Sequence, residues 1–140
     1  MIPPDTHLQI GSLLFEGLDQ IDLTGPFEVL SRIPNSTYRL YGKTVEAVRD
    51  VKGLRLMPDA ALADAPQLDV LHVPGGFGQE TLMEDEDLLA WIRSQAAGAH
   101  SLFSYAPAHC FAVQPVCSRG VARPRIGRHF TCCPISAPSP

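Results

Sequence analysis

Apolar residues in this chain come in short, dense runs separated by polar turns. That is the pattern of strands buried on both faces between surface helices. Leu8 to Phe15 (LQIGSLLF) is the first such run and predicts a central strand. Leu68 to Val73 (LDVLHV) predicts a second, broken by Pro74-Gly75-Gly76, and Ser101 to Ser104 (SLFS) opens a third. Tyr38 to Tyr41, Val45 to Val48 and Leu54 to Met57 are weaker strand candidates, the last followed by a polar turn and a short Ala-rich segment. Gly17 to Gly25 (GLDQIDLTG) predicts a loop, with Pro26 starting a helix that carries Phe27, Val29 and Leu30. From Asp85 the apolar period becomes helical. Asp85 is the expected cap, Glu86 and Asp87 fill the first turn, and Leu88, Leu89, Trp91, Ile92 and Ala96 share one face before Gly98 ends the helix. Strand–helix–strand alternation at these lengths predicts right-handed crossovers and an α/β fold, a parallel sheet with flanking helices. Ligands of such sheets sit beyond the C-terminal ends of the strands. Three loops qualify: Glu16 to Gly25, Pro74 to Gly78, and whatever follows Ser104.

Charge changes the picture at Ser104. Residues 1–104 carry seven Lys+Arg against fifteen Asp+Glu, whereas residues 105–140 carry Arg119, Arg123, Arg125 and Arg128, no lysine and no acid. All four cysteines and six of the thirteen prolines lie beyond the seam. The expected organisation is therefore one folded unit over residues 1–104 and an irregular, disordered tail over 105–140. The overall charge of −4 argues against nucleic acid or an anionic membrane as partner. No apolar run approaches the roughly 20 residues of a membrane span, and MIPPDTH at the start has no secretory pattern, so a cytoplasmic protein is expected. Cys110, Cys117, Cys132 and Cys133 with His109 and His129 raise the question of zinc. Their spacing is not that of paired short-spaced ligands, and adjacent Cys132 and Cys133 are awkward for one tetrahedron, so no metal is expected.

Taken one by one, the polar residues near the three loops have plain readings. Asp22 suits a turn or helix cap, Thr24 a cap, Gly75 and Gly76 a turn after a strand, and Glu28 a solvated helix acid. His72 inside an apolar strand suits a satisfied core histidine, and Trp91 a core or dimer surface. Together, three motifs say more. Asp22-Leu23-Thr24-Gly25-Pro26 after the first strand, Val73-Pro74-Gly75-Gly76 after a later one, and Thr81-Leu82-Met83-Glu84-Asp85 into a Trp-containing helix resemble the ThiJ/PfpI superfamily of class I glutamine-amidotransferase-like proteins. Within it the resemblance is to the isocyanide (isonitrile) hydratases, over about residues 8 to 104. It implies a flavodoxin-like domain, homodimeric in intact members, with a cysteine nucleophile on a strained strand-to-helix elbow. It implies hydration of a small-molecule isocyanide to an N-substituted formamide, with no metal or organic cofactor. Asp22 would stand beside the nucleophile as proton shuttle. Gly75 and Gly76 would bring backbone N–H groups to developing negative charge, with Thr24 at the pocket. Sensing domains of AraC-type transcription regulators share these motifs and give the alternative function; a reading frame running on into a helix-turn-helix would distinguish them.

The chain departs from the superfamily at the decisive point. The elbow signature is Ser-Val-Cys-Thr-Gly, whereas here Ser104 is followed by Tyr105-Ala106-Pro107-Ala108, with Ala106 in the nucleophile's slot. Back-translation accounts for this. Reading one base early, with a G supplied by the Ser104 codon, Tyr105 to Arg123 can encode VCTGALLCGAAGLLAGRRA, and the next residues TTHW. Members of the superfamily resemble that restored run: a cysteine elbow, an Ala/Gly/Leu helix, then a Thr-Thr-His-Trp strand. The tail is accordingly expected to be an out-of-frame translation, leaving a truncated domain that is inactive as written.

Overall fold

The computed structural model describes residues 5–104. Its framework is one five-stranded sheet in the order β5-β2-β1-β6-β7, every pairing parallel. Strand β1 (Leu8–Leu14) is central. On one side it pairs with β2 (Ser36–Gly42), from Leu8 opposite Ser36 to Leu14 opposite Gly42. On the other it pairs with β6 (Val70–Val73), which pairs in turn with β7 (Ser101–Ser104). Two-residue β5 (Ala60–Ala61) edges β2 and runs into a 3-10 turn at Leu62–Asp64. The dense apolar runs are those buried on both faces: Ile10 through Leu14 and Val70 through Val73 are buried without a break. Gly11 is needed within β1, because a Cβ there would stand 2.7 Å from Leu68 Cδ1 and 2.9 Å from the Tyr41 ring.

From β1 the chain moves outward to β2 and β5, then returns across the sheet to β6 and moves outward the other way to β7. Right-handed crossovers in opposite directions place helix α1 (Gln20–Leu30) and helix α3 (Glu86–Gly98) on opposite faces. Asp85 caps α3 by accepting from the Leu88 N–H at 3.2 Å, as the acidic start predicts. Leu88, Leu89 and Ile92 are buried beneath it, each worth about 1.5–3 kcal/mol of transfer free energy. Gln95 is buried with them, accepting from the Leu68 N–H (2.9 Å) and donating to the Pro66 carbonyl (3.1 Å).

Two expectations are corrected. The segment 17–25 is not a loop throughout: α1 begins at Gln20, with Asp19 as cap accepting from the Ile21 N–H at 3.4 Å. Pro26 therefore lies inside the helix rather than at its start. An interior proline costs about 3 kcal/mol. Set against that are the burial of Leu23 and the edge-on contact of Phe27 with Tyr38, ring centroids 5.0 Å apart. Gly25, lacking a Cβ, also relieves the crowding that disfavours helical geometry before proline. Second, the weak strands around 45–48 and 54–57 contribute only β3 (Val48–Arg49) and β4 (Arg55–Leu56), an antiparallel ribbon outside the main sheet. The intervening Asp50 turns the chain back, its carboxylate accepting from the Lys52 and Leu54 N–H groups (2.8 and 2.7 Å). The expected tail, 105–140, lies outside the described residues.

Candidate functional site

The strand order switches sides between β1 and β6, and the loops leaving their C-terminal ends are bound to each other through backbone hydrogen bonds. Asp19 N–H donates to the Gly75 carbonyl at 2.7 Å, and Gly78 N–H donates to the Gly17 carbonyl at 3.0 Å. The approach requires glycine. Gly76 has φ +138°, and a Cβ on it would lie 2.5 Å from Asp19 N and Gly17 O. A Cβ on Gly78 would lie 1.8 Å from the Glu16 carbonyl oxygen. The β3–β4 ribbon buttresses the same loop. Gly17 N–H donates to the Arg49 carbonyl (2.8 Å), Val51 N–H to the Leu18 carbonyl (3.0 Å), and Arg49 N–H to the Glu16 carboxylate (2.9 Å).

Onto this base the structure sets the residues singled out by sequence. Asp22 is half-buried in the first turn of α1, its N–H donating to the Asp19 carbonyl at 3.1 Å. A carboxylate in a first helical turn is favoured by the macrodipole. Gly75 is buried, and its carbonyl is committed to Asp19. Thr24 points along its own helix: its hydroxyl donates to the Gln20 carbonyl (3.0 Å) and accepts from the Gln20 side-chain amide (2.7 Å). Ser104 ends β7 in register with Val73, so the start of α1, the Pro-Gly-Gly turn and the end of β7 all lie at one end of the parallel sheet. An apolar cleft of about 230 Å³ opens there between Pro26, Val29 and Leu30 of α1 and Phe103 and Ser104 of β7. Ala106 lies outside the described residues.

Gln79 was not singled out by the sequence pattern. It opens the one-turn helix α2 (Gln79–Leu82), is buried, and donates from Nε2 to the Pro74 carbonyl at 3.2 Å, bracing the turn from behind. A lone glutamine after glycines carries no periodic signal that would have found it.

Beneath α1 lies a buried polar row across three strands. Ser12 Oγ meets His72 Nδ1 at 2.8 Å and also hydrogen-bonds the Tyr38 hydroxyl. Burial pushes the His72 imidazole down to about 4 and the Tyr38 phenol up. His72 is thus neutral at physiological pH, a core histidine held by a hydroxyl. Among the described residues, no three His, Cys, Asp or Glu side chains cluster to hold a metal ion, and no helix is long and apolar enough to cross a membrane.

Known proteins share this architecture. An isonitrile hydratase from Pseudomonas putida is 48% identical over 97 residues, covering 69% of this chain and 42% of that protein. The crystal structure of a ThiJ/PfpI family protein from Pseudomonas syringae superposes with a TM-score of 0.71 at 26% identity, over 76% of this chain and 45% of that one. DJ-1beta of Drosophila melanogaster, at 24% identity and TM-score 0.64 over 76% of this chain and 59% of that one, shares the fold. This chain thus spans less than half the length of the first two. The sequence profile of the DJ-1/PfpI family matches residues 9–133, and with the parallel flavodoxin-like sheet it establishes that the chain belongs to the DJ-1/PfpI family.

Proposed function

We propose that residues 8–104 build the acid side of an isonitrile hydratase site and that the chain as written lacks its nucleophile. The observation that carries this reading is the 48% identity to the Pseudomonas putida isonitrile hydratase over 97 residues of this chain. In the complete site a cysteine thiolate at the slot occupied by Ala106 adds to the terminal carbon of R–N≡C. Asp22 delivers the proton that this carbon needs and then takes one from the attacking water. Water adds to the carbon–nitrogen double bond, the nitrogen taking the proton that Asp22 received from the water; the hydroxyl proton then passes to Asp22 as the thiolate leaves, and R–NH–CHO departs. Backbone N–H groups around Gly75 and Gly76 stabilise developing charge, and Thr24 steadies the helix that carries Asp22. No metal or organic cofactor is needed for these steps. The substrate is a small isocyanide, and the complete protein is a cytoplasmic homodimer.

In the same reading, residues 1–104 are the N-terminal part of a longer domain and 105–140 are its out-of-frame continuation. Support for this comes from the ordered restored run VCTGALLCGAAGLLAGRRA. Because the family profile match runs to residue 133, past the seam, the gene itself is the test. Sequencing codons 103 to 106 should reveal one missing base, and formamide formation from alkyl and aryl isocyanides should appear only in the frame-restored product. Turnover by the 140-residue chain would overturn the loss of the nucleophile. Silence from a folded, frame-restored product would overturn the hydratase assignment.

A further inference from the structure

The β3–β4 ribbon gathers unpaired positive charge on an acidic folded unit. Residues 1–104 carry seven Lys+Arg against fifteen Asp+Glu. Of the seven, Arg32, Lys43 and Arg93 are ion-paired with Glu28, Asp85 and Glu86. Arg49, Lys52 and Arg55, in the ribbon and its turn, have no carboxylate partner among the described residues. Residues 1–4 and 105–140 contain no Asp or Glu that could supply one. The two acids bound to the ribbon are taken up by main-chain donors. Glu16 accepts from the Arg49 N–H (2.9 Å), and Asp50 from the Lys52 and Leu54 N–H groups (2.8 and 2.7 Å).

Strand register sets two of these cations side by side, Arg49 directly opposite Arg55. The Asp50 N–H donates to the Leu54 carbonyl at 2.9 Å, which makes Arg49 and Arg55 a non-hydrogen-bonded pair. That is the closer kind, with Cα atoms about 4.5 Å apart. Val48 and Leu56 beside them pack inward against the core, and both arginines are exposed on the outer face. The backbone beneath is fixed, since the Arg49 carbonyl accepts from the Gly17 N–H (2.8 Å) and the Val51 N–H donates to the Leu18 carbonyl (3.0 Å). Like charges directly opposite destabilise a ladder, and an anion between them reverses the sign of that interaction. A carboxylate has one oxygen edge and fills one guanidinium fork, whereas a tetrahedral phosphate has an edge for each of two forks. We propose that Arg49 and Arg55 form a phosphate-binding site, each guanidinium donating to a separate oxygen edge of one phosphate group. Lys52, at the turn of the ribbon, adds a third positive charge. This site is independent of the hydratase reading.

Phosphorus NMR titration of the 140-residue chain with inorganic phosphate and with phenyl phosphate, at ionic strength held constant with chloride, tests this. The parent is compared with Arg49→Gln, Arg55→Gln and Arg55→Lys, and with Arg39→Gln, an exposed arginine of β2, as control. Far-UV circular dichroism checks that each variant folds as the parent does. Either ribbon glutamine variant should weaken phosphate at least about fivefold, Arg55→Lys about two- to threefold, and the control less than about twofold. Acetate should compete at least about tenfold less effectively than phosphate. Phenyl phosphate binding as tightly as inorganic phosphate supports a site for phosphate monoesters, and weaker binding of the ester supports a site for the free ion. No binding by the parent, or equal affinity in the parent and both ribbon glutamine variants, overturns the site. Acetate competing as well as phosphate overturns the assignment to phosphate.

Discussion

Three glycine-to-alanine substitutions separate backbone strain from steric contact at the loop junction. Gly53 has φ +92° and open space around it, so Gly53→Ala imposes strain alone, about 1–2 kcal/mol. Gly78 has an ordinary helical φ of −64°, but its Cβ would fall 1.8 Å from the Glu16 carbonyl, so Gly78→Ala imposes contact alone. The obstacle is backbone, which no rotamer change can move. The two loops must part and the Gly78–Gly17 hydrogen bond must lengthen or break. Overpacking costs about 1–3 kcal/mol and the hydrogen bond about 1, against which alanine returns about 0.4–1 by stiffening the unfolded chain. The net expectation is a loss of about 2–3 kcal/mol. Gly76→Ala combines both penalties, φ +138° with a 2.5 Å contact to backbone, and should cost the most. Urea unfolding monitored by circular dichroism gives each value, with Gly53→Ala as the strain-only reference. If Gly78→Ala stays within about 0.5 kcal/mol of the parent, the loops are not locked as described.

Other outcomes follow from the buried row and the helix cap. His72 has a folded pKa of about 4, below the unfolded value of 6.5, so between these pH values the unfolded chain binds the extra proton. Stability should therefore fall as pH drops from about 6.5 toward 4, by on the order of 3 kcal/mol from this group, and His72→Gln should flatten that part of the urea-midpoint profile. Ser12→Ala strips Tyr38 and His72 of their shared hydroxyl and should cost about 1–3 kcal/mol. In the double mutant with Tyr38→Phe the losses should be less than additive, whereas simple additivity would mean that the row does not act as a unit. Asp85→Ala should cost about 1 kcal/mol through the lost cap, while Asp85→Asn, still able to accept from Leu88, should keep most of it. Equal losses for the two variants in thermal unfolding would assign the effect to charge instead.

What could be read from the sequence was what short-range pattern controls. Strand β1 announces itself by continuous burial, and α3 by Asp85 and the spacing of Leu88, Leu89 and Ile92. The start of α1 was hidden because Gly25-Pro26 looks locally like the end of a loop, while tertiary contacts of Leu23 and Phe27 carry the helix through it. Ser12, Tyr38 and His72 meet because β1 lies between β2 and β6, a fact of strand order that no window around any of the three contains. The family resemblance pointed to Asp22 and the Pro-Gly-Gly turn as candidates. Only the fold shows that Asp19 joins them and that Gln79 braces the turn.

The junction also bears on how chemistry and architecture divide in this chain. Asp22 is held by its helix, the helix by Asp19, whose carboxylate accepts from the Ile21 N–H, and Asp19 by its backbone bond to the Gly75 carbonyl. Side-chain substitutions at the rim can therefore change the site's chemistry without loosening its frame, whereas a single methyl group on Gly76 or Gly78 attacks the frame itself. The polypeptide keeps Asp22, the Pro-Gly-Gly turn and the end of β7 at one end of the sheet, and it carries Ala106 two residues after β7, where the resemblance implies a thiol. In the proposed reading, where catalysis is differential stabilisation of a transition state, the fold described over residues 5–104 supplies position and charge, and the bond-making atom comes from the frame-restored continuation after Ser104.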